Sequence, residues 1–102
     1  MDVVALGELL IDFTENGISS QGNPLFEANP GGAPCNVLAM LSRLGHRTAF
    51  IGKVGNDFFG KQLEDAITEV GIDAAGLLKD DKVHTTLALV HLSLIHISEP
   101  TR

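Results

Sequence analysis

The segment DVVALGELLIDF, from Asp2 to Phe13, is apolar along almost its whole length. A short, nearly continuous apolar run of this kind is typical of a strand that is buried on both faces of a parallel sheet. Glu8 interrupts the run, and Asp12 lies near its end. The run therefore predicts the first strand of an α/β sheet, with Asp12 at the carboxyl end, where such sheets bind their ligands.

Two helical patterns follow this strand. From Ala33 to Leu44 the apolar residues repeat at helical spacing, Pro34 suits the first turn and Gly45 suits the end. From Phe59 to Val70 a second apolar repeat has the same spacing, and Asp57 can serve as its N-cap. The apolar face of the first helix is predicted to consist of Val37, Leu38, Leu41 and Leu44.

Strand-like segments at Arg47–Gly55 and His84–Leu92 are rich in apolar and β-branched residues. Before the first helix, the polar segment Thr14–Pro30 has the composition of a loop or small hairpin and exceeds the usual length of a connection. A segment of this kind is either a lid over a site or a disordered surface loop. The order strand, loop, helix, strand, helix, strand predicts an α/β layer fold with mainly parallel pairing.

The composition limits the classes of function. The 102 residues suffice for one small domain, and a net charge of −6 with a pI near 4.9 disfavours nucleic acid or an anionic membrane as the partner. No apolar segment approaches the ~20 residues that span a bilayer, and no signal peptide is expected. The single cysteine cannot form an internal disulfide, which indicates a reducing cytoplasm.

One segment, GNDFFGKQ from Gly55 to Gln62, nearly matches the phosphate-binding loop pattern G-x-x-x-x-G-K-[ST]. It lacks the hydroxyl that would bind Mg²⁺, because position 62 is Gln, and the carboxylate of Asp57 would repel a phosphate. The bulky Phe58 and Phe59 also fit poorly in a loop that wraps around a phosphate. We therefore interpret the segment as a capped helix start with Phe59 in the core.

Cys35 and the four histidines indicate neither a nucleophile nor a metal site. A nucleophilic cysteine needs a partner base, and the nearest histidine in sequence, His46, is about one helix length away along the chain. We expect Cys35 to be a small core residue. The spacing of the histidines matches no metal-ligand pattern, so no metal-binding residues are predicted in this chain.

The polar groups that we expect at one edge of the sheet belong to Asp12, Gly31, Gly32 and Asn36. Helix N-termini offer unpaired N–H donors, and glycines let the backbone approach a ligand closely. A carboxylate, an amide side chain and bare donors suit the hydroxyls of a neutral polyol better than a phosphate, which Asp12 would repel. Two alternatives stay open: Asp12 as a capping or turn residue, and Asn36 as the partner of a local backbone group.

The fragments GELLIDF, PGGAPCNVL, SRLGHRTAFIGKVGNDFFG and GID occur in this order. Together they resemble the N-terminal third of the ribokinase-like, pfkB-type carbohydrate kinases, and GGAPCN is most similar to the form found in fructokinases. The resemblance covers about Val3 to His91. It departs from the family pattern at Cys35, where a small residue such as alanine is expected, and at Leu38 and Met40, which are bulkier than usual.

The resemblance implies a partial three-layer α/β/α ribokinase-like (Rossmann-like) domain in residues 1–91, with part of a small β lid in residues 14–29. It implies transfer of the ATP γ-phosphoryl group to a sugar hydroxyl, with Mg²⁺ and often K⁺. The substrate that the resemblance favours is fructose, and the product is fructose 6-phosphate. The same resemblance assigns sugar binding to Asp12, Gly31, Gly32 and Asn36, with the two glycines forming the hinge of the lid.

No segment of this chain resembles the Gly-Ala-Gly-Asp motif that carries the catalytic base of the family, or its ATP pocket. We therefore expect no catalytic residue among these 102 residues and no kinase activity of the chain alone. A homodimer through the lid is expected for the full-length protein. Two alternatives stay open: a pfkB-type kinase for ribose, a sugar acid or a nucleoside, and a non-catalytic sugar-binding module.

The last residues, LSLIHISEPTR from Leu92 to Arg102, resemble the in-frame translation of an adapter used in DNA sequencing libraries. We interpret residues 92–102 as a non-native read-through tail and exclude them from the predicted fold. A genuine C-terminal segment is the alternative.

Overall fold

The computed structural model describes residues 1–91 and 94–98, with side chains as far as residue 89. These residues form two sheets and two helices, which confirms the predicted α/β class. In chain order the elements are β1 (Val3–Leu6), β2 (Leu10–Ile18), β3 (Pro24–Gly31), α1 (Ala33–Arg43), β4 (Thr48–Gly55), α2 (Phe58–Glu69), β5 (Ile72–Asp80), β6 (Thr86–His91) and β7 (Leu94–Ser98).

The first sheet contains three parallel strands in the order β1-β4-β5. Both helices pack on one of its faces, and the hydrophobic core lies at that interface. Neither helix in the described part of the chain is long and apolar enough to cross a bilayer. The core is built mainly from Leu38 of α1, Leu63 and Ile67 of α2, and Phe50 and Val54 of β4.

The ends of the helices follow the sequence signals. α1 ends in a Schellman motif, in which the amide of His46 donates to the carbonyl of Leu41 at 3.1 Å. Gly45 occupies the left-handed position of that motif with φ 93°, which a residue without a Cβ adopts at low cost. Asp57 caps α2 by accepting a hydrogen bond from the amide of Gly60 at 2.7 Å.

The predicted apolar face of α1 is wrong in part. Leu38 is buried, but Val37 and Leu44 are exposed, and Cys35 takes an inward position. Because residues three apart share a helix face, the buried stripe follows Cys35 and Leu38, whereas Val37 and Leu44 lie on another face.

The apolar run Asp2–Phe13 forms two strands rather than the single predicted strand. β1 ends at Leu6, and β2 begins at Leu10 in a second sheet with the order β3-β2-β6-β7. Asp12 therefore lies inside a strand of the second sheet and not at the carboxyl end of the parallel sheet. A continuous apolar run hides this break because both strands contribute side chains to one core.

In the second sheet, β2 pairs antiparallel with β3 and parallel with β6, and β6 pairs antiparallel with β7. The β2–β3 hairpin shows that most of the segment Thr14–Pro30 is hairpin rather than loop.

β5 and β7 are strands that the sequence patterns do not predict. β7 falls within the segment interpreted as a read-through tail, of which residues 92, 93 and 99–102 lie outside the described residues, and its origin stays a prediction.

Within the described part of the chain, the face of the parallel sheet opposite the helices carries an exposed apolar patch. Leu6 on β1 and Leu78 on β5 are 78% and 64% exposed, and Val4 and Ile51 are exposed beside them. An apolar patch of this kind on a sheet favours association. We therefore expect the purified chain to self-associate in a concentration-dependent way.

The substitutions Leu6→Lys and Leu78→Lys are expected to weaken this association at least about ten-fold, because burying one leucine side chain contributes about 1.5–3 kcal/mol. Sedimentation equilibrium measures the effect. Ile18→Lys, at an exposed apolar position of the β2–β3 hairpin, is the control and is expected to leave the association constant unchanged. A monomer at all concentrations, or equal weakening by the control, would contradict this prediction.

Candidate functional site

The β2–β3 hairpin places the carboxylate of Asp12 against the backbone of Gly31. In the hairpin register Asp12 lies opposite Asn29, and Leu10 lies opposite Gly31. A Cβ built on Gly31 would overlap Oδ2 of Asp12 and would approach Cδ1 of Leu10 to 3.2 Å. The Asp12 carboxylate can therefore occupy this position only because residue 31 has no side chain.

Two polar neighbours of Asp12 are absent from the site predicted from sequence. Thr14 lies two residues further along β2 and so shares the face of Asp12. Asn29 Nδ2 donates to Thr14 Oγ1 at 3.4 Å and to the carbonyl of Glu27 at 3.4 Å. Alternating residues of a strand share one face, so the sequence could identify Thr14 and Asn29 as neighbours of Asp12 only if the hairpin register were known.

Gly32 joins the hairpin to α1 as its N-cap, with φ 129° and ψ 117°. A Cβ at this position would lie 2.7 Å from the carbonyl oxygen of Glu8. The N-terminus of α1 offers fewer free donors than the sequence predicts. Pro34 has no N–H, and the amides of Cys35 and Asn36 both donate to the carbonyl of Gly32 at 3.2 Å.

Asn36 is exposed and lines a cavity of about 150 Å³ between α1 and α2. Gly31 lines the same cavity, and most of the remaining wall is apolar, including Leu63 and Val70. Asp12 is not part of this wall. The structure thus brings Asp12 to Gly31 and Gly31 to Asn36, but it does not place Asp12 and Asn36 in one cavity.

The segment GNDFFGKQ forms a capped helix start and not a phosphate-binding loop. The amide of Gly60, which such a loop would direct at a phosphate, donates to Asp57 Oδ1 at 2.7 Å. Nζ of Lys61 pairs with Oδ1 of Asp65 at 2.9 Å on the exposed side of α2. Phe59 packs against the core, as predicted.

Cys35 is buried against the core, and burial raises the pKa of its thiol to about 11. The thiol is therefore protonated at neutral pH and is a poor nucleophile. Among the side chains that the structure describes, no group of three or more His, Cys, Asp or Glu is placed to hold a metal ion.

Comparison with protein-family models identifies residues 1–94 as a match to the pfkB family of carbohydrate kinases. A probable fructokinase of Arabidopsis thaliana is 48% identical over 92 residues, covering 88% of this chain and 27% of the relative. A putative sugar kinase of Pyrococcus horikoshii is 44% identical over 92 residues, covering 88% of this chain and 29% of the relative. The chain thus spans less than a third of the length of these relatives.

Solved structures give the same result for the fold. A fructokinase of Xylella fastidiosa with bound ATP superposes with a TM-score of 0.82 at 33% identity, covering 94% of this chain and 29% of that one. A fructokinase of Vibrio cholerae with bound fructose, ADP and calcium ion superposes with a TM-score of 0.81 at 30% identity, covering 95% of this chain and 32% of that one.

The family match covers strands β1 to β6, both helices and the hairpin that carries Asp12 and Gly31. It confirms the resemblance seen in the fragments GELLIDF and PGGAPCNVL, and the structural neighbours agree with it. The chain belongs to the pfkB family of carbohydrate kinases.

Proposed function

We propose that this chain is the N-terminal part of a longer protein, the parent protein, that phosphorylates fructose with ATP to give fructose 6-phosphate. The observation that carries the proposal is the carboxylate of Asp12 held against the backbone of Gly31. The relatives named as fructokinases, one of them solved with fructose and ADP, support the substrate and the nucleotide.

In this proposal, Asp12 accepts hydrogen bonds from the sugar hydroxyls. A charged acceptor makes stronger hydrogen bonds than a neutral one, and a neutral polyol meets no repulsion from the carboxylate. Gly31 and Gly32 let the sugar approach the backbone and form the hinge of a lid in residues 14–29. Asn36 adds an amide contact from the first turn of α1.

The catalytic base and the ATP pocket belong to the part of the parent protein outside this chain, because the resemblance places them in the C-terminal part of the family, and the parent protein would use Mg²⁺ and often K⁺. Phosphoryl transfer needs the nucleotide, the metal and the base in position. We therefore expect the chain alone to be inactive. A homodimer through the lid and a cytoplasmic location stay predictions.

The gene sequence beyond codon 91 is the first test. A kinase gene is expected to continue with family sequence that includes a downstream Gly-Ala-Gly-Asp motif, in place of the segment LSLIHISEPTR. Genomic reads that run through codon 92 into LSLIHISEPTR and then stop would contradict both the read-through interpretation and the kinase proposal.

The second test is the activity of the purified parent protein. With ATP and Mg²⁺, ADP release is measured with fructose, ribose, a sugar acid and a nucleoside, and fructose is expected to give the highest kcat/KM. A preference for another of these substrates would assign a different pfkB-type kinase. Fructose binding without ADP release would instead indicate a non-catalytic sugar-binding module. The 102-residue chain is expected to release no ADP above background.

A further inference from the structure

The carboxylate of Asp57 joins three parts of the fold. Its Oδ1 accepts hydrogen bonds from the amide of Gly60 at 2.7 Å and from the hydroxyl of Thr85 at 2.7 Å, and its Oδ2 accepts from the amide of Thr85 at 2.8 Å. Thr85 Oγ1 in turn accepts from the amide of Gly55 at 3.1 Å. Asp57 thus links the end of β4 and the start of α2 to the residue that precedes β6. We call these four residues the Asp57 bridge.

The bridge is a closely packed part of the structure. Thr85 is only 2% exposed. A Cβ on Gly55 would lie 2.5 Å from the amide nitrogen of Thr85, and a Cβ on Gly60 would overlap the carbonyl oxygen of Gly55. Burial raises the pKa of Asp57, but the hydrogen bonds from Thr85 and Gly60 outweigh it and hold that pKa below its ordinary value. A helix cap alone requires only one of these hydrogen bonds.

The same end of α2 contacts two more strands of the second sheet, β2 and β3. Phe59 packs edge-on against Phe13 of β2, with 5.4 Å between the ring centroids. Gln62 Nε2 donates to the carbonyl of Ala28 on β3 at 3.0 Å. The first turns of α2 therefore contact β2 and β3 directly, and the Asp57 bridge fixes the start of β6 beside them.

The strand register connects the bridge to the sugar-binding side chain. Thr86 of β6 pairs with Leu10 of β2, and Ala88 pairs with Asp12. Thr85, which immediately precedes β6, is therefore three residues from the partner of Asp12. We propose that Asp57 and Thr85 are positioning residues that fix β6, and through it β2 with Asp12, relative to the parallel sheet. This inference rests on the proposed sugar-kinase function.

The decisive variants change one bridge atom at a time in the parent protein. Thr85→Val keeps the shape of the side chain but removes the hydroxyl that bonds Asp57 and Gly55, whereas Thr85→Ser restores that hydroxyl. Asp57→Asn keeps a capping oxygen for Gly60 but cannot accept from both donors of Thr85. Asp65→Asn makes the same chemical change at an exposed position of α2 and is the matched control.

We expect Thr85→Val and Asp57→Asn to raise the KM for fructose about ten-fold, because a small displacement of Asp12 weakens its contacts with the sugar. The KM for ATP is expected to stay within two-fold, and Thr85→Ser and Asp65→Asn are expected to resemble the unmodified protein. A bridge that served only stability would lower the melting temperature and leave the fructose KM of the folded enzyme unchanged.

The outcomes separate the inference from the function on which it rests. An unmodified parent protein that phosphorylates sugars, combined with an unchanged fructose KM in the bridge variants, overturns the inference and leaves the proposed function standing. An unmodified parent protein that phosphorylates no sugar overturns both. If Thr85→Val does not fold, Asp57→Asn, which retains the helix cap, provides the same comparison with Asp65→Asn.

Discussion

Gly32→Ala is expected to lower the free energy of unfolding of this chain by about 3 kcal/mol, a large share of the stability of a small domain. Two costs add at this position. The φ of 129° at the N-cap of α1 is strained for any residue with a side chain, at about 1–3 kcal/mol. The new Cβ would also lie 2.7 Å from the carbonyl oxygen of Glu8, so the backbone on one side must move.

Gly45→Ala separates these two costs. Gly45 also has a positive φ, 93°, but nothing lies within 4 Å of the position that its Cβ would take. Alanine there is expected to cost only about 1 kcal/mol. Urea unfolding followed by circular dichroism gives both values, provided that the m-value stays constant. Equal losses in the two variants would show that contact with Glu8 contributes nothing.

In the parent protein, Asp12→Asn is expected to lower kcat/KM for fructose about 100-fold while the KM for ATP stays unchanged. The substitution keeps the shape of the side chain but replaces a charged acceptor with a neutral one, and hydrogen bonds to charged groups contribute about 1.5–3 kcal/mol. Initial-rate measurements at varied fructose and varied ATP give both constants. Asp65→Asn, on the exposed side of α2, is the control, and an unchanged kcat/KM in Asp12→Asn would contradict sugar binding by Asp12.

Gly31→Ala tests the same geometry without altering the carboxylate. The added methyl group would overlap Oδ2 of Asp12, so the carboxylate must move away from its place beside the backbone. Gly31 has no positive φ, and its replacement therefore acts through the contacts of the added methyl group with Asp12 and Leu10 rather than through backbone strain. A displaced binding group is expected to raise the KM for fructose about ten-fold or more. An unchanged KM would mean that the sugar does not depend on this contact.

The second helix was predictable because its signals are local. Asp57 caps its start, and Leu63 and Ile67 fall on one face at helical spacing, which a short window of sequence reveals. The double glycine before Pro34 also marks a helix start correctly, since Gly32 is the N-cap of α1, whereas its role in sugar binding stays a prediction.

The sheet to which a strand belongs is not a local property. The apolar run Asp2–Phe13 predicts buried strand correctly, but the change of sheet between Leu6 and Leu10 depends on β3 and β6, which lie far along the chain. Asp12 was therefore singled out on residue type and assigned to the wrong sheet. Its neighbours Thr14 and Asn29 were missed for the same reason.

The strand β5 and the contact between Asp57 and Thr85 could not be predicted from the sequence. β5 contains Ala74, Ala75 and Gly76, which have low strand propensity, so its sequence lacks the usual strand signal. Thr85 was missed as the partner of Asp57 because the two residues are 28 positions apart, and no local pattern connects a helix cap to the start of a distant strand.

The buried thiol of Cys35 gives this chain an internal reporter. Because Cys35 is the single cysteine, a thiol-alkylating reagent has one place to react. Cys35 is buried beside the cavity between α1 and α2, and burial raises the pKa of its thiol to about 11, so alkylation at pH 8 is slow while α1 stays packed and faster when α1 opens. The alkylation rate therefore records how often α1 opens, and a sugar that closes the hairpin against Gly31 and Gly32 at the N-terminus of α1 would slow it.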